Sequence, residues 1–358
     1  METVLLKGNE ALVEGAIRGG CRFYAGYPIT PQTEILENMS FRQKEVGGVF
    51  IQGESEIAGI NMVMAASALG ARAMTSSSGP GFSLKQEGIA YIVSAGLPAV
   101  IVCVQRFGIG DGYICAGQDN YWQVCKGGGN GDYKLIVLAP NCAQENVDMA
   151  YNAFEMSEKY MHPVVILSDA GVGQMMEPCE LPEPKFRSID DAPWALKGCK
   201  PGEANKVITD CTYFQEINQW NKEYIAKMRK IQDEEQRWES IETEDAELVF
   251  VAYGISSRIA EGAVRMAREQ GIKLGLIRPI VLWPFPKKAF KQLTGSVKAL
   301  VTVELNMMGQ MREDVILASG GKIPAYTYAA AQNVPEQEEL VAFAKDILAG
   351  KIKEEEVF

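Results

Sequence analysis

Short apolar runs alternate with longer amphipathic stretches along the first half of the chain. The runs predict strands at 23–25, 49–51, 72–76, 99–104, 135–138 and 164–168. The stretches repeat apolar residues every three or four positions and predict helices at 9–18, 30–39, 55–69, 82–94 and 143–159. We expect Thr30 as the N-cap of the second helix and Pro31 as its first residue. Strands separated by helices predict a parallel sheet covered on both faces.

The second half shows a break and then a new alternation. After Asp169, repeated prolines predict an irregular connector, which ends in a polar helix at about 216–241. A second unit follows Glu247, with strands at 248–253, 273–277 and 299–303, helices at 256–270 and 336–348, and a proline-rich turn through Pro286. The pattern predicts an α/β fold with two parallel-sheet domains, at 1–185 and 245–358, joined by a connector at 186–244.

Polar motifs follow four successive predicted strands in the first half. They are Tyr27-Pro28-Ile29-Thr30-Pro31, Gly53-Glu54-Ser55-Glu56, the Ser- and Gly-rich segment 75–81, and Gln105-Arg106. The carboxyl ends of parallel strands meet at one edge of a sheet, and open α/β sheets bind their ligands there. The sequence therefore predicts one functional site at this edge.

Composition narrows the kinds of partner. The 358 residues carry a net charge of −11, which disfavours a nucleic-acid partner. The eight cysteines are scattered without a C-x-x-C pair, so we expect no metal site within this chain and a reducing cytoplasmic location. No export signal and no apolar stretch of about 20 residues is visible, so we expect no membrane association.

Three side chains at the strand ends are candidates for chemistry, and each has a structural alternative. Thr30 is either a capping hydroxyl or a polar group at a helix end that attracts carboxylates. Glu56 lies in the first turn of a predicted helix and is either a functional carboxyl group or an acidic residue favoured there by the helix dipole. Glu54 is expected to be an acidic residue of the second kind. Arg106 ends a very apolar strand and either binds a carboxylate or phosphate or pairs with an internal acid such as Asp111.

Two further features limit the chemistry. His162 is the only histidine and precedes Pro163 and a strand, so we expect a structural or surface role for it. Histidine triads, histidine–metal centres and dehydrogenases with a histidine acid therefore become poor hypotheses, and the chemistry must rely on a cofactor or on carboxylates. The glycine-rich loop at 127–132 is not a phosphate-binding motif and is expected to face a ligand or another chain.

Taken in order, these motifs resemble the 2-oxoacid:ferredoxin oxidoreductases over nearly the whole chain. The resemblance includes the Tyr-Pro-Ile-Thr-Pro motif, the Ser55-Glu56 helix start, Arg106, and the segments 75–81, 126–133, 136–140 and 304–310. It is strongest to the subunit of the 2-oxoisovalerate (branched-chain) type that carries a thiamine pyrimidine-binding domain and a transketolase-C-like domain. The resemblance implies those two folds for the two predicted domains.

The resemblance also implies roles for individual residues. Glu56 matches the glutamate that bonds N1′ of the thiamine aminopyrimidine ring and is the implied catalytic residue. Thr30 and Arg106 match the residues that hold the carboxylate and keto groups of the substrate. Pro28, Ile29 and Ser78 are the remaining implied contacts to the cofactor. The implied reaction is oxidative decarboxylation of a 2-oxo acid to acyl-CoA and carbon dioxide, with thiamine diphosphate as cofactor and coenzyme A as cosubstrate.

The chain lacks parts that such a reaction needs. The one Gly-Asp-Gly run, Gly110-Asp111-Gly112, lies in the loop after Arg106, and we do not expect it to be a diphosphate–magnesium motif; the chain also has no iron–sulfur cysteine pattern. The resemblance therefore implies a hetero-oligomer with a thiamine-diphosphate-motif subunit, a gamma-type subunit and a ferredoxin-like iron–sulfur subunit. Mg²⁺ and 4Fe–4S clusters would lie on those partners, and ferredoxin would accept the electrons.

Several alternatives stay open at the level of sequence. After Arg106 the family has a Gly-Gly-Pro-like run, whereas this chain has Phe107-Gly108-Ile109-Gly110-Asp111-Gly112. Phe107 would add an apolar wall beside the substrate, so an aryl 2-oxo acid, or 2-oxoglutarate, is an alternative substrate. A subunit of a lipoamide-dependent 2-oxoacid dehydrogenase is disfavoured by the Tyr-Pro-Ile-Thr-Pro motif. A non-catalytic scaffold subunit is disfavoured by the joint presence of Thr30, Glu56 and Arg106.

Overall fold

The computed structural model describes residues 2–198, 214–331 and 333–354, which form an α/β molecule with two large sheets. The strands are β1 Glu2–Lys7, β2 Phe23–Gly26, β3 Val49–Gln52, β4 Ala73–Ser77, β5 Val100–Gln105, β6 Ile136–Leu138, β7 Val164–Asp169, β8 Met176–Leu181, β9 Trp238–Ile241, β10 Leu248–Val251, β11 Leu274–Pro279, β12 Val281–Trp283, β13 Ala299–Glu304 and β14 Ala325–Ala329. The α-helices are α1 Gly8–Arg18, α2 Thr33–Glu45, α3 Glu56–Ala68, α4 Gly79–Ser94, α5 Tyr121–Cys125, α6 Ala143–Tyr160, α7 Ala170–Gln174, α8 Phe214–Glu234, α9 Gly254–Glu269, α10 Lys287–Phe290, α11 Arg312–Ser319 and α12 Gln337–Leu348.

The first sheet has seven strands in the order β12-β6-β7-β5-β4-β2-β3. All neighbours pair in parallel except β12, which is antiparallel to β6. Every residue of the central strands β5 and β7 is buried, as continuous apolar runs between two helical layers require. The carboxyl ends of β2, β3, β4 and β5 therefore lie at one edge of the sheet, as predicted.

The second sheet has five strands in the order β14-β13-β10-β11-β9. Its pairs are parallel except for β9, which is antiparallel to β11. The predicted α/β class with two parallel sheets is confirmed. One hydrophobic cluster runs through both sheets and includes Val165 of the first and Val251 of the second.

The structure corrects the sequence prediction in several places, most of which depend on pairing with a distant segment. β1 and β8 pair with each other in antiparallel fashion outside both large sheets, and neither strand was predicted. β14, which pairs with β13, was not predicted either. The proline-rich turn contains β12, which completes the first sheet through β6. The polar helix ends at Glu234 and not at 241, because Trp238–Ile241 pairs with β11. The second predicted helix begins at Thr33, two residues after the predicted first residue Pro31, because a local turn precedes it. Among the described residues, every helix is too short or too polar to span a lipid bilayer.

Candidate active site

The Glu56 carboxyl group is buried where β3 passes into α3. Ser55 is the N-cap of this helix, and its hydroxyl accepts a hydrogen bond from the Ala58 amide at 3.3 Å. Glu56 is only 5% exposed, whereas Glu54 is exposed. A Cβ atom built on Gly81 would lie 2.2 Å from Glu56 Oε1 and 2.4 Å from Ser77 Oγ. The carboxyl group therefore packs against the start of α4, and Gly81 is the residue that leaves room for it.

Arg106, at the end of β5, holds two loops together. Its Nη1 atom donates to the Thr30 carbonyl oxygen at 2.8 Å, and its Nη2 atom donates to the Asp111 carbonyl oxygen. The Asp111 carboxylate is 99% exposed and lies 3.6 Å from Nη2. The Nε atom is buried and has no hydrogen-bond partner among the described residues. Pairing with Asp111 therefore exists, but it does not satisfy the whole guanidinium group.

Thr30 is not the N-cap that the sequence predicted. The Gln32 amide bonds to the Ile29 carbonyl oxygen at 3.1 Å and closes a turn first, and Gln32 takes the N-cap position of α2. Thr30 lies on this turn with its side chain exposed, and its carbonyl oxygen is the group that contacts Arg106. Pro28 and Ile29 are half-buried on the same turn.

Ser77, Ser78 and Gly79 link the Glu56 and Arg106 positions. Both serines are fully buried, and neither hydroxyl has a hydrogen-bond partner. A Cβ atom on Gly79, whose φ is +44°, would lie 3.0 Å from Arg106 Nε. The segment thus passes directly beside both Arg106 and Glu56. The structure brings Thr30, Glu56, Ser78 and Arg106 to one edge of the first sheet, as the motif positions predicted.

Sequence reasoning missed two buried polar residues that belong to this region. Gln32 donates to the Tyr27 carbonyl oxygen at 3.0 Å and also bonds Ser76, so it fixes the turn from within. Lys85 on α4 is fully buried and donates to Thr75 Oγ1 at 3.0 Å. A lysine in a helical segment gives no sequence signal of burial, because most lysines are exposed.

The segment 304–310 holds the loop that follows Arg106 in place. Asn306 Oδ1 accepts hydrogen bonds from the amides of Met308, Gly309 and Gln310 at 3.1, 2.8 and 3.4 Å. This turn is joined to the loop that follows Arg106, because the Gln118 amide donates to the Leu305 carbonyl oxygen at 2.7 Å. The second sheet therefore positions a loop of the first.

The loop after Arg106 turns back on itself as a small hairpin. Phe107 and Tyr113 form an isolated bridge, and their rings lie 6.5 Å apart. Phe107 is buried, whereas Ile109, Tyr113 and Ile114 are exposed. The glycine-rich loop, in contrast, lies against α4: a Cβ atom on Gly128 would be 2.6 Å from Gln86 Cδ.

His162 and Cys125 are buried in the protein interior, and Cys115 lies on the loop after Arg106, where its carbonyl oxygen accepts from the Phe107 amide at 3.4 Å. His162 is fully buried, and its Nε2 atom lies 2.6 Å from the Lys134 carbonyl oxygen. Burial raises the pKa of the Cys125 thiol, and Cys115 is half-buried. The described residues contain no group of three or more His, Cys, Asp or Glu side chains placed to hold a metal ion. Cys199 and Cys211 lie outside the described residues.

Comparison with known families settles the relationship. Residues 14–245 match the family described as pyruvate flavodoxin/ferredoxin oxidoreductase, thiamine diphosphate-binding, and residues 246–338 match pyruvate:ferredoxin oxidoreductase core domain II. The chain belongs to the 2-oxoacid:ferredoxin oxidoreductase family. The resemblance inferred from the motifs is confirmed.

Individual relatives span most of the chain. It is 48% identical to the ketoisovalerate oxidoreductase subunit VorB of Methanothermobacter marburgensis, over 89% of this chain and 91% of the relative. It is 38% identical to the 2-oxoglutarate synthase subunit KorA of Methanocaldococcus jannaschii, over 88% of this chain and 91% of the relative.

A solved structure of 2-oxoglutarate:ferredoxin oxidoreductase from Magnetococcus marinus, with 2-oxoglutarate, coenzyme A and succinyl-CoA bound, has a similar fold. Its TM-score to this chain is 0.84 at 26% identity, over 96% of this chain. The chain spans 65% of that longer protein.

The residues at the sheet edge fit the aminopyrimidine part of thiamine diphosphate. Glu56 provides a buried carboxyl group, and Gly81 keeps the space beside it free of a side chain. Ser77 Oγ, Ser78 Oγ and Arg106 Nε are buried polar atoms that lack hydrogen-bond partners among the described residues, and a bound ligand is one explanation for such atoms.

Proposed function

We propose that this chain provides the pyrimidine-binding half of a thiamine diphosphate site in a hetero-oligomeric 2-oxoacid:ferredoxin oxidoreductase. A branched-chain 2-oxo acid such as 2-oxoisovalerate is the favoured substrate, with acyl-CoA and carbon dioxide as products and ferredoxin as electron acceptor. The substrate preference is supported by the higher identity to the ketoisovalerate subunit than to the 2-oxoglutarate subunit. The observation that carries the proposal is the buried Glu56 carboxyl group beside Gly81, on the same edge as Arg106.

Each residue of the edge has a defined task in this proposal. Bound thiamine diphosphate supplies a centre that stabilises the carbanion left by decarboxylation. Glu56 holds a proton at the ring nitrogen N1′. Arg106 binds the substrate carboxylate through its guanidinium fork, and the turn that carries Thr30, Pro28 and Ile29 closes the site around it. Ser78 offers its hydroxyl to the cofactor.

Partner subunits complete the site. We assign the diphosphate-binding motif, Mg²⁺ and the 4Fe–4S clusters to a thiamine-diphosphate-motif subunit, a gamma-type subunit and a ferredoxin-like subunit. Ile57 on α3 and Leu84 and Tyr91 on α4 are each nearly half exposed. Exposed apolar side chains on the two helices that bear the site are the kind of surface that a partner subunit covers.

The test uses the assembled complex with substitutions that separate cofactor from substrate. Glu56→Gln should slow exchange of the thiamine C2 proton about 10²–10⁴-fold, because general acid–base groups contribute that much. Arg106→Lys keeps the charge but loses the fork, so kcat/KM should fall about ten- to a hundredfold while C2 exchange without substrate stays unchanged. Glu54→Gln is the matched control and should alter neither value. An unchanged C2 exchange rate in Glu56→Gln would return Glu56 to the role of a helix-terminal acid.

A further inference from the structure

Lys85 is a buried cation next to the proposed catalytic carboxyl group. Its side chain is inaccessible to solvent, and Nζ donates to Thr75 Oγ1 at 3.0 Å and to the Glu56 carbonyl oxygen at 3.4 Å. A Cβ atom on Gly59, one turn further along α3, would lie 3.4 Å from Nζ. The ammonium group therefore lies under the first turn of α3 and joins it to β4.

A buried ammonium ion is costly unless it has partners that compensate for lost water. Burial lowers the pKa of Lys85 to about 8, and the negative charge of Glu56 opposes that shift. The amine therefore stays protonated at neutral pH. Of the elements packed around it, β4 contributes the neutral Thr75, and Glu56 on α3 is the charged group that acts on Lys85.

Two residues of α4 contact the side chain and the main chain of Glu56. Gly81 and Lys85 are four residues apart, so they lie on the same face of the helix. Gly81 leaves room for the Glu56 carboxyl group, and Lys85 binds the main chain of the same residue. One face of α4 thus receives the side chain of Glu56 and anchors its backbone.

We propose that Lys85 is a positioning residue for Glu56: its ammonium ion fastens the first turn of α3 to β4 and so holds the Glu56 carboxyl group in place beside Gly81. This inference rests on the proposed function for its catalytic consequence, but the effect on Glu56 itself does not require the cofactor.

The first measurement is made on the full chain without cofactor. Hydrogen exchange reports the protection of the first turn of α3, where the Gly59 amide donates to the Ser55 carbonyl oxygen at 3.1 Å. Lys85→Met should accelerate exchange of this amide about tenfold or more, because the charge-assisted hydrogen bond that fixes the turn is lost. Lys85→Arg keeps a charged donor and should preserve most of the protection.

Lys134→Met is the matched control, because Lys134 also donates to two main-chain oxygens, of Cys125 and Lys126, at 3.2 and 2.9 Å. It should leave hydrogen exchange of the Gly59 amide unchanged. Equal exchange of that amide in wild type and Lys85→Met would overturn the proposal.

The second measurement is C2 proton exchange in the assembled complex without substrate. Lys85→Met should slow it about ten- to a hundredfold, because a displacement of about 1 Å at a catalytic group can cost that much. If Glu56→Gln abolishes C2 exchange while Lys85→Met leaves it intact, the role of Lys85 fails and the proposed function stands. If Glu56→Gln has no effect, the proposed function fails, and hydrogen exchange of the Gly59 amide still decides whether Lys85 anchors the turn.

A further variant covers the case in which Lys85→Met does not fold. Thr75→Val removes one of the two oxygens that accept from Lys85 Nζ and roughly keeps the shape of the side chain. It should accelerate exchange of the Gly59 amide several-fold, and unchanged exchange of that amide in Thr75→Val would overturn the proposal.

Discussion

At the scale of single residues, glycines shape the candidate site as strongly as its charged side chains do. Gly79 and Gly81 lie beside Arg106 and Glu56, and neither position has room for a Cβ atom without displacing those groups. Gly79 also has a positive φ of +44°, which a residue with a side chain adopts only at a cost. The positions of these two candidate side chains therefore depend on the absence of side chains at Gly79 and Gly81.

His162 allows a direct test of how burial acts on stability. Its imidazole is fully buried, and burial lowers its pKa to about 3, so the folded chain holds it neutral. The unfolded chain binds a proton near the ordinary pKa of about 6.5, which means that stability is complete above that pH and falls as pH drops toward 3. Between pH 6.5 and 5, His162 should reduce the free energy of unfolding by about 2 kcal/mol.

The measurement is urea unfolding of wild type and His162→Gln as a function of pH. Gln keeps an N–H donor for the Lys134 carbonyl oxygen but does not titrate. The free energy of unfolding of His162→Gln should therefore fall less on acidification than that of wild type, by the amount given for His162. Because the chain has one histidine, the difference between the two curves has one source. Parallel curves would show that His162 is protonated in the folded state.

The sequence predicted the location of residues that follow the end of a strand, and it missed residues that belong to the site only because they are buried there. Thr30, Glu56 and Arg106 follow apolar runs, so their common location could be read from the pattern. Lys85 and Gln32 carry polar side chains inside helical segments, and nothing local distinguishes them from solvated residues. Only the packing of α3 and β4 around Lys85 shows that it is buried.

At the scale of elements, local patterns predicted most strands and helices of both sheets but missed β9, β12 and β14, which are defined by their pairing with other strands. β12 and β9 each join a sheet in antiparallel orientation from a connecting segment. Such short strands lack a periodic signal of their own, because the partner strand supplies their hydrogen bonds and burial. The turn before α2 was misread for a related reason: Gln32 and not Thr30 occupies the N-cap, after a turn closed by Ile29.

The turn after β13 should control the order of the loop that follows Arg106. Asn306→Ala removes the oxygen that accepts three amide hydrogen bonds and the donor that bonds Gln118. We expect the free energy of unfolding to fall by about 1–3 kcal/mol, the cost of leaving buried partners unsatisfied. Hydrogen exchange at the amides of Gln118 and Gly108 should accelerate.

Asn152→Ala is the control for this experiment. Asn152 is exposed on α6 and bonds one carbonyl oxygen, so its loss should change stability by less than about 0.5 kcal/mol. Unchanged exchange at Gln118 in Asn306→Ala would mean that the loop is held by its other contacts.

At the scale of the whole molecule, the two sheets are one structural unit. β12, from the segment after β11, completes the first sheet, and the buried Asp169 of β7 accepts a hydrogen bond from the Ile255 amide at 2.9 Å. One hydrophobic cluster includes residues of both sheets. The sequence predicted two domains because the alternation restarts at Glu247, and it gave no sign of these shared contacts.

The shared strand and core predict that the full chain unfolds cooperatively. Val281→Ala in β12 should lower the free energy of unfolding by about 2 kcal/mol, since the side chain is fully buried. Hydrogen exchange measured at increasing urea should report the same loss for β5 in the first sheet and β13 in the second. Val341→Ala, on α12 beyond the second sheet, is the matched substitution and should also weaken both sheets together. If Val281→Ala lowered the protection of β5 alone, the two sheets would be independent folding units. The edge that carries the candidate site would then be stabilised by the first sheet without a contribution from the second.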